Sequence, residues 1–305
     1  MGKPSEILVV SDSLTWQSRV GDTIRSIFMD PQDGFPDSEA NFSLLHINRS
    51  DFDKASHLHH NILIIEVDTA IVKSNIETLK DEWAQPQRVV KIESASDTAL
   101  INIIAKQGAA IKELFEQNER AIARIKNAIE RNQEAEEFLN RELGIIMVIT
   151  DQLQLTGKTY NSVCLESKGV SNRLKLIIHT FPYKDSSQLR ADSLLTFRIK
   201  HLQCNSTVIQ ADVNSPKTLD FTSYEGRKFI FKGLYAIETR GLYKPEGKEV
   251  DIPYVSYAII DAPRQRVVVF DGYVNNTEIS KRGSIRQLES LILESEFTFP
   301  KAIRK

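Results

Sequence analysis

The sequence predicts an α+β protein with an N-terminal part of alternating strands and helices, a long helix, and a C-terminal part of mainly antiparallel strands with helices. Three observations predict this class. Short apolar runs alternate with helical spacing before residue 93, residues 109–143 lack Gly and Pro, and strand-like runs dominate after Gly144. A chain of 305 residues is long enough for about two domains. We place the division between residues 1–143 and 144–305.

The N-terminal part starts with an apolar run at residues 7–10, which predicts a strand. Trp16, Val20 and Ile24 then fall on one face of the next segment, which indicates a helix. Further apolar runs predict strands at residues 42–47, 62–65 and 88–92. The run at 62–65 is apolar on both faces, as in a strand that is covered on both sides.

The longest helical pattern begins near residue 94, and its apolar residues recur every three, four or seven positions. Residues 109–143 would extend about 50 Å as a helix, which Gly144 ends. We interpret this helix as packing on its own protein. The alternative is an arm that binds a partner.

The C-terminal part carries strand-like runs at residues 145–149, 162–166, 174–181, 229–239, 254–260 and 267–274. The last two runs are separated by a short Pro-containing segment, so we predict that they pair as an antiparallel hairpin. Helices are predicted at residues 187–202 and 285–293.

The charge balance excludes one class of partner. Lys and Arg number 39 and Asp and Glu number 41, giving a net charge of −2 without a basic block. Duplex nucleic-acid binding needs a basic surface, so we expect no nucleic-acid partner.

No short catalytic motif is present. The stretch at residues 156–159 resembles the end of a phosphate-binding loop, but Gln152 stands where that loop needs Gly. A nucleophile elbow, a zinc-protease motif and a dinucleotide fingerprint are also missing from the sequence. These features favour a protein that is not an enzyme, and they indicate no cofactor.

The cysteines and histidines give little indication of a metal site or of redox chemistry. Cys164 lies in an alternating apolar stretch, and we interpret it as a small buried hydrophobic residue. A single disulfide between Cys164 and Cys204 remains the alternative. His57, His59 and His60 lack an obvious third ligand, so we interpret them as part of a polar loop and predict no metal site.

The best candidate site is basic and lies near the C-terminus. Lys281 and Arg282 fall at the start of a predicted helix, and Arg286 follows one turn later. Cations at a helix N-terminus interact unfavourably with the helix dipole, so we expect a specific interaction that offsets this. We predict that these three residues and Arg240 converge on an anionic group, which is either a ligand or the protein's own carboxylate, such as Glu289. The alternative is a solvated basic turn.

Several stretches together resemble a known family. They are Gly2-Lys3-Pro4-Ser5-Glu6-Ile7-Leu8-Val9-Val10, Val20-Gly21-Asp22, His60-Asn61-Ile62-Leu63-Ile64, Trp83-Ala84-Gln85-Pro86-Gln87, Glu238-Thr239-Arg240-Gly241-Leu242-Tyr243, and Lys281-Arg282 followed by Arg286-Gln287-Leu288-Glu289. In this order they resemble the envelope lipoproteins of Bacteroidetes-type bacteria grouped as domain-of-unknown-function family 4837.

The resemblance implies a location and a class of function. It implies that a leader ending in a lipidated cysteine precedes the Gly2 segment in the full-length gene product. The expected protein is then lipid-anchored in the cell envelope, facing the periplasm or at the outer membrane. We expect a non-enzymatic binding or structural module with an anionic ligand or an envelope protein as partner. The alternative is an envelope hydrolase that acts on an anionic substrate.

Overall fold

The computed structural model describes residues 2–31, 39–168, 173–201, 220–223, 226–244, 252–275 and 281–298. Its helices, its N-terminal mixed sheet and its C-terminal antiparallel sheet confirm the α+β class. The chain divides into two compact units, residues 1–32 with 40–122 and residues 33–39 with 123–305. The predicted division after residue 143, where a helix ends, stays a prediction.

The first unit is a mixed sheet with helices. Its elements are β1 (Glu6–Val10), α1 (Ser13–Gln17), α2 (Arg19–Phe28), β2 (Ser43–Ile47), β3 (Asn61–Val67), β4 (Asn75–Lys80), β5 (Arg88–Ser94) and the larger part of α3 (Asp97–Ile129). The strand order is β2-β1-β3-β5-β4, in which only β4 runs antiparallel to its neighbour. β4 was not predicted, because its mostly exposed residues carry no apolar run.

Strand β1 is apolar on both faces because both faces are covered. Ile7 and Val9 pack in a cluster with residues of α2 and α3, whereas Leu8 and Val10 pack in a second cluster. All four side chains are at most 1% exposed. This alternation explains the continuous apolar run.

The long helix is shorter than predicted. α3 ends at Ile129 after 33 residues, and a separate helix α4 (Gln133–Leu143) follows. Asn132 caps α4, because its side-chain oxygen accepts a hydrogen bond from the backbone N–H of Ala135 at 3.1 Å. The prediction of one helix to residue 143 is therefore wrong, since an asparagine cap can start a new helix without Gly or Pro.

The described residues of the second unit form an eight-stranded sheet. Its strands are β7 (Leu153–Lys158), β8 (Ser162–Ser167), β9 (Arg173–Pro182), β10 (Asp220–Ser223), β11 (Arg227–Phe231), β12 (Leu234–Lys244), β13 (Ile252–Asp261) and β14 (Arg266–Asn275). Their order is β10-β12-β13-β14-β9-β8-β7, and β11 also pairs with β12. Two short strands, β6 (Ile145–Ile146) and β15 (Glu296–Phe297), pair with each other. The helices that the structure describes in this unit include α4, α5 (Ala191–His201) and α6 (Lys281–Glu294).

The predicted hairpin is confirmed, since β13 and β14 pair antiparallel from Tyr254 with Tyr273 to Asp261 with Arg266. The predicted strand at 229–239 is instead two strands, β11 and β12. Lys232 and Gly233 separate them with φ angles of 45° and 86°. Positive φ at both residues forms the tight turn of a two-residue hairpin.

The two faces of this sheet differ in chemistry. One face packs against α6 through apolar side chains, among them Phe270 on β14 and Ile285, Leu288 and Leu291 on the helix. Gly272 permits the close approach of α6, because a Cβ there would lie 3.1 Å from the Leu288 Cδ1. The opposite face carries charged and hydroxyl side chains that are also buried.

Candidate functional site

Arg240 lies on β12 and pairs with carboxylates from both β12 and α6. Its Nη2 donates to Glu289 Oε1 on α6, and its Nε donates to Glu238 Oε1 at 2.5 Å. Glu238 also accepts from Arg227, at 3.1 Å from Nε and 2.8 Å from Nη2. Arg227, Glu238, Arg240 and Glu289 therefore form a chain of alternating charge, which we call the ion-pair chain.

The members of the ion-pair chain shift each other's protonation. Burial alone would raise the pKa of Glu238, but the charges of Arg240 and Arg227 more than offset it and hold that pKa below its ordinary value. Burial alone would likewise lower the pKa of Arg240, and the nearby Glu289 and Glu238 instead raise it. Both residues stay charged at neutral pH.

The start of α6 has its own carboxylate. Glu39 Oε2 accepts from the backbone N–H groups of Lys281 at 3.1 Å and Arg282 at 3.3 Å, and its Oε1 lies 3.8 Å from Arg282 Nε. A carboxylate here complements both the helix dipole and the cationic side chain. Arg286 is only 3% exposed. The described contacts thus join Arg240 to Glu289 and the start of α6 to Glu39, and convergence of all four cations on one anion stays a prediction.

The opposite face of the sheet holds a second group of charged residues, which we call the polar face. Strand register places Glu166, Lys175, Tyr273 and Tyr254 side by side across β8, β9, β14 and β13. Lys175 Nζ lies 3.2 Å from Glu166 Oε1, and the Lys175 side chain is fully buried. Burial lowers the pKa of Lys175, because its charged form has lost water.

The centre of the polar face is Asp271 on β14. Arg198 of α5 donates from Nε to Asp271 Oδ1 at 3.1 Å, and its guanidinium lies 4.6 Å from the centre of the Tyr254 ring. Burial raises the pKa of Tyr273 well above its ordinary value, and the charge of Asp271 adds to the effect. The polar face is therefore a charged layer between the sheet and α5.

Ser162, His179 and Asp271 on this face have the composition of a catalytic triad. Ser162 Oγ lies 2.6 Å from His179 Nδ1, but His179 Nε2 lies 3.7 Å from Asp271 Oδ2, beyond hydrogen-bond range. Arg198 already neutralises Asp271. All three residues are at most 3% exposed, so a substrate cannot reach the serine in this conformation.

Several buried polar atoms on the polar face lack a hydrogen-bond partner among the residues that the structure describes. They are Ser256 Oγ, Asp271 Oδ2 and Tyr273 Oη. Such atoms are uncommon in native proteins and each calls for an explanation. The sequence carries a signal for the polar face, because Lys175 and Asp271 interrupt otherwise apolar strands.

Cys164 lies beside the polar face in a buried cluster with Ile177 and Tyr273. It is disulfide-bonded, so its interpretation as only a small buried hydrophobic residue is wrong. Cys204, the other cysteine of the chain, lies outside the described residues.

The histidines predicted to form a polar loop contact several nearby groups in the first unit. His57 stacks on Trp83 with ring centres 4.3 Å apart, His60 Nδ1 lies 2.7 Å from the Pro86 carbonyl oxygen, and His59 lies 3.7 Å from Glu6. No group of three His, Cys, Asp or Glu suited to a metal ion occurs in the described ranges. Among the same residues, no helix has the length and apolar character needed to span a membrane.

The fold and the internally paired charges define a two-unit α+β protein without an open catalytic constellation in its described residues. The chain belongs to the family described as "Domain of unknown function (DUF4837)", whose profile matches residues 132–294. This confirms the predicted family. Residues 1–128 match a different family, "Domain of unknown function (DUF8532)", so the family 4837 match is narrower than the resemblance indicated.

Solved structures resemble about half of the chain. The Ran-binding protein Mog1p of Saccharomyces cerevisiae aligns with a TM-score of 0.35 and 9% identity over 51% of this chain and 91% of its own. LpqN of Mycobacterium tuberculosis, described as involved in cell envelope biogenesis, aligns with a TM-score of 0.33 and 12% identity over 50% and 83%. A Bacteroides thetaiotaomicron protein aligns with a TM-score of 0.29 and 10% identity over 52% and 46%. No curated protein matches the sequence.

Proposed function

We propose that this protein is a non-enzymatic binding or structural module of the bacterial cell envelope. The observation that carries the proposal is the ion-pair chain. The cation best placed to recognise an anion, Arg240, is held by Glu238 and Glu289, which are 4% and 2% exposed. A guanidinium satisfied by its own protein's carboxylates stabilises a fold and has little capacity left for a substrate.

An anion titration separates a structural role of the cations at α6 from a ligand-binding role. Phosphate added at constant ionic strength should leave the arginine side-chain NMR signals unchanged, because Glu39 and Glu289 already occupy the anion positions at α6. The control is sodium chloride at the same ionic strength. Salt-sensitive phosphate binding that Arg282→Gln removes, and that Arg190→Gln at an exposed position retains, would instead assign an anionic ligand to α6.

The disulfide at Cys164 supports the envelope location, because disulfides persist in oxidising compartments and are rare in the cytosol. Protein purified from whole cells under denaturing conditions should take up no maleimide before reduction and two equivalents after it, since the chain has two cysteines. Uptake before reduction would contradict the location. The lipid anchor rests on the family resemblance alone, and a full-length protein unlabelled by a fatty-acid analogue would refute it.

The alternative function, an envelope hydrolase, has one observation in its favour, the contact between Ser162 and His179. A fluorophosphonate probe labels activated serines and distinguishes the two functions. We expect no labelling, because Ser162 is 3% exposed. Labelling that disappears in Ser162→Ala would support the hydrolase and overturn the non-enzymatic role.

A further inference from the structure

A groove of about 650 Å³ lies beside the start of α5 on the second-unit sheet. One side is lined by Leu189, at the end of a short 3₁₀ turn, and by Ala191, the first residue of α5. The other side is lined by residues of β11 and β12. Ligand sites usually span about 300–1,000 Å³, and this groove lies within that range. Its described lining contains no residue of the polar face or the ion-pair chain.

Strand register determines which side chains the sheet presents to the groove. Ile237 of β12 lies opposite Lys228 of β11, and two positions further along Tyr235 lies opposite Ile230. Opposed residues and residues two apart point to the same face of a sheet, so these four side chains share one face. Ile237 is 7% exposed, whereas Tyr235 and Ile230 are 39% and 68% exposed. The apolar surface of the groove therefore continues past its lining, and a bound molecule would remove part of it from water.

The charged residues of the described lining are Arg190, Asp192 and Lys228. Arg190 donates from Nε to Asp192 Oδ1 at 3.3 Å and from Nη2 to Asp192 Oδ2 at 3.4 Å, so these two charges neutralise each other. Lys228 forms no ion pair or side-chain hydrogen bond with a described residue. Its flexible four-carbon stem starts on the same sheet face as Ile237, so its ammonium can reach an anion held in the groove. This arrangement is complementary to one negative charge beside an apolar body.

We propose that this groove binds a small amphiphile, which is a molecule with an apolar body and one anionic group. The apolar body packs against Leu189, Tyr235 and Ile237, and the anionic group pairs with Lys228. An exposed ion pair contributes little by itself, so an inorganic anion without an apolar body should not occupy the groove. The inference rests on the proposed binding role and deepens it, because it assigns a ligand class to the module.

The test uses two fluorescent probes with the same ring system. Anilinonaphthalene sulfonate carries one anionic group, and phenylnaphthylamine lacks it. Both are titrated into the full chain, and the rise in fluorescence gives their dissociation constants. Lys228→Met should weaken binding of the sulfonate at least about threefold, which is the size expected for an exposed ion pair, and should leave binding of the neutral probe unchanged. Lys228→Arg should retain both.

The matched control for charge is Lys168→Met, because Lys168 is another exposed lysine of the second unit and does not line the groove. It should leave binding of both probes unchanged. Equal weakening of the sulfonate by Lys228→Met and Lys168→Met would overturn the proposal, since the effect would then reflect net charge alone. Equal effects of Lys228→Met on the two probes, or no saturable binding of the sulfonate, would overturn it as well.

A second pair of variants locates the apolar body. Tyr235→Ala should weaken binding of both probes at least about threefold, because it removes a ring that lines the groove. Tyr160→Ala is the control, since Tyr160 lies between β7 and β8 and is 105% exposed. Intermolecular NOEs should connect the probes to the Tyr235 ring and the Ile237 methyl groups. Unchanged binding by a folded Tyr235→Ala variant, or NOEs only to other residues, would overturn the assignment.

Thermal unfolding first establishes that each variant folds. If Tyr235→Ala does not fold, the Lys228 variants and the NOEs decide. The fluorophosphonate experiment remains a separate test. A failure of probe binding removes this ligand site and leaves Ser162 unlabelled, whereas labelling of Ser162 overturns the non-enzymatic role whether or not the groove binds the probes.

Discussion

Replacing Arg240 by leucine should destabilise the second unit strongly, because the change leaves a buried carboxylate without its partner. Among the described residues, Glu289 has Arg240 as its only ion-pair partner, and its side chain is 2% exposed. Glu238 keeps Arg227. Breaking a buried ion pair by removing one partner typically costs about 3–5 kcal/mol, so we expect a loss of unfolding free energy in that range.

A double-mutant cycle isolates the pair. The Arg240→Leu and Glu289→Leu double variant should be more stable than Arg240→Leu alone, because apolar pairs often replace buried ion pairs at little cost. The coupling energy should exceed about 1 kcal/mol. Arg190→Leu is the control, since the Arg190 side chain is 70% exposed and its surface ion pair should contribute less than about 1 kcal/mol.

Urea unfolding followed by far-UV circular dichroism measures these changes. Tryptophan fluorescence separates the units, because both tryptophans, Trp16 and Trp83, belong to the first unit. The loss of unfolding free energy caused by Arg240→Leu should also be smaller at acidic pH. The pKa of Glu238 lies below its ordinary value, so its contribution is complete above about pH 4.5 and declines as pH falls through the lowered pKa. A loss below 1 kcal/mol at neutral pH, or additive single changes, would refute the reasoning.

Two further predictions concern stability. Lys175→Met alone should cost about 3–5 kcal/mol because it strands Glu166, whereas the double change with Glu166→Gln should be near neutral. Burial lowers the pKa of Lys175, so the unfolding free energy of the wild type should rise as pH increases from that lowered pKa towards 10.5. Urea titrations measure this rise. A Lys175→Met variant that keeps it would show that the rise does not come from Lys175. Gly21→Ala should lower the unfolding free energy by about 1–3 kcal/mol, because the new Cβ would lie 1.9 Å from the Trp16 carbonyl oxygen. Gly283→Ala should raise it by about 0.5–1 kcal/mol, because no atom lies within 4 Å of the new Cβ and alanine favours the helix. Thermal unfolding compares these two variants. Equal changes in melting temperature would show that the packing around the glycine does not determine the effect of the substitution.

Sequence periodicity predicted the elements that bury apolar residues in regular patterns. The runs that became β1 and β3 are continuous in apolar residues because both faces of each strand are covered. The runs that became β13 and β14 are mostly apolar and are buried along nearly their whole length. The pattern could not locate β4, which is mostly exposed. Local caps and turns were also missed, since Asn132 begins a helix inside an uninterrupted helical pattern.

The candidate site was only partly accessible to sequence reasoning. The sequence analysis predicts a contact between Arg240 and an anion such as Glu289, because cations near a predicted helix start need an oppositely charged partner. The structure places Arg240 and Glu289 in contact. The polar face was missed because its members come from five different elements, and strand register alone brings Glu166, Lys175 and Asp271 onto one surface. Register depends on long-range pairing, which a single sequence read locally does not contain.

The unlike faces of the second-unit sheet have a consequence for how its strands find their partners. Asp271 alternates with Phe270 along β14, and Lys175 alternates with Leu176 along β9. If either strand slipped by one residue, its ionic side chains would turn towards the apolar layer under α6. An unpaired charge in such a layer is strongly unfavourable, so mispaired sheets would be much less stable than the native one. The buried charges therefore help to select the native strand register during folding, because they destabilise slipped pairings that apolar residues on both faces would tolerate.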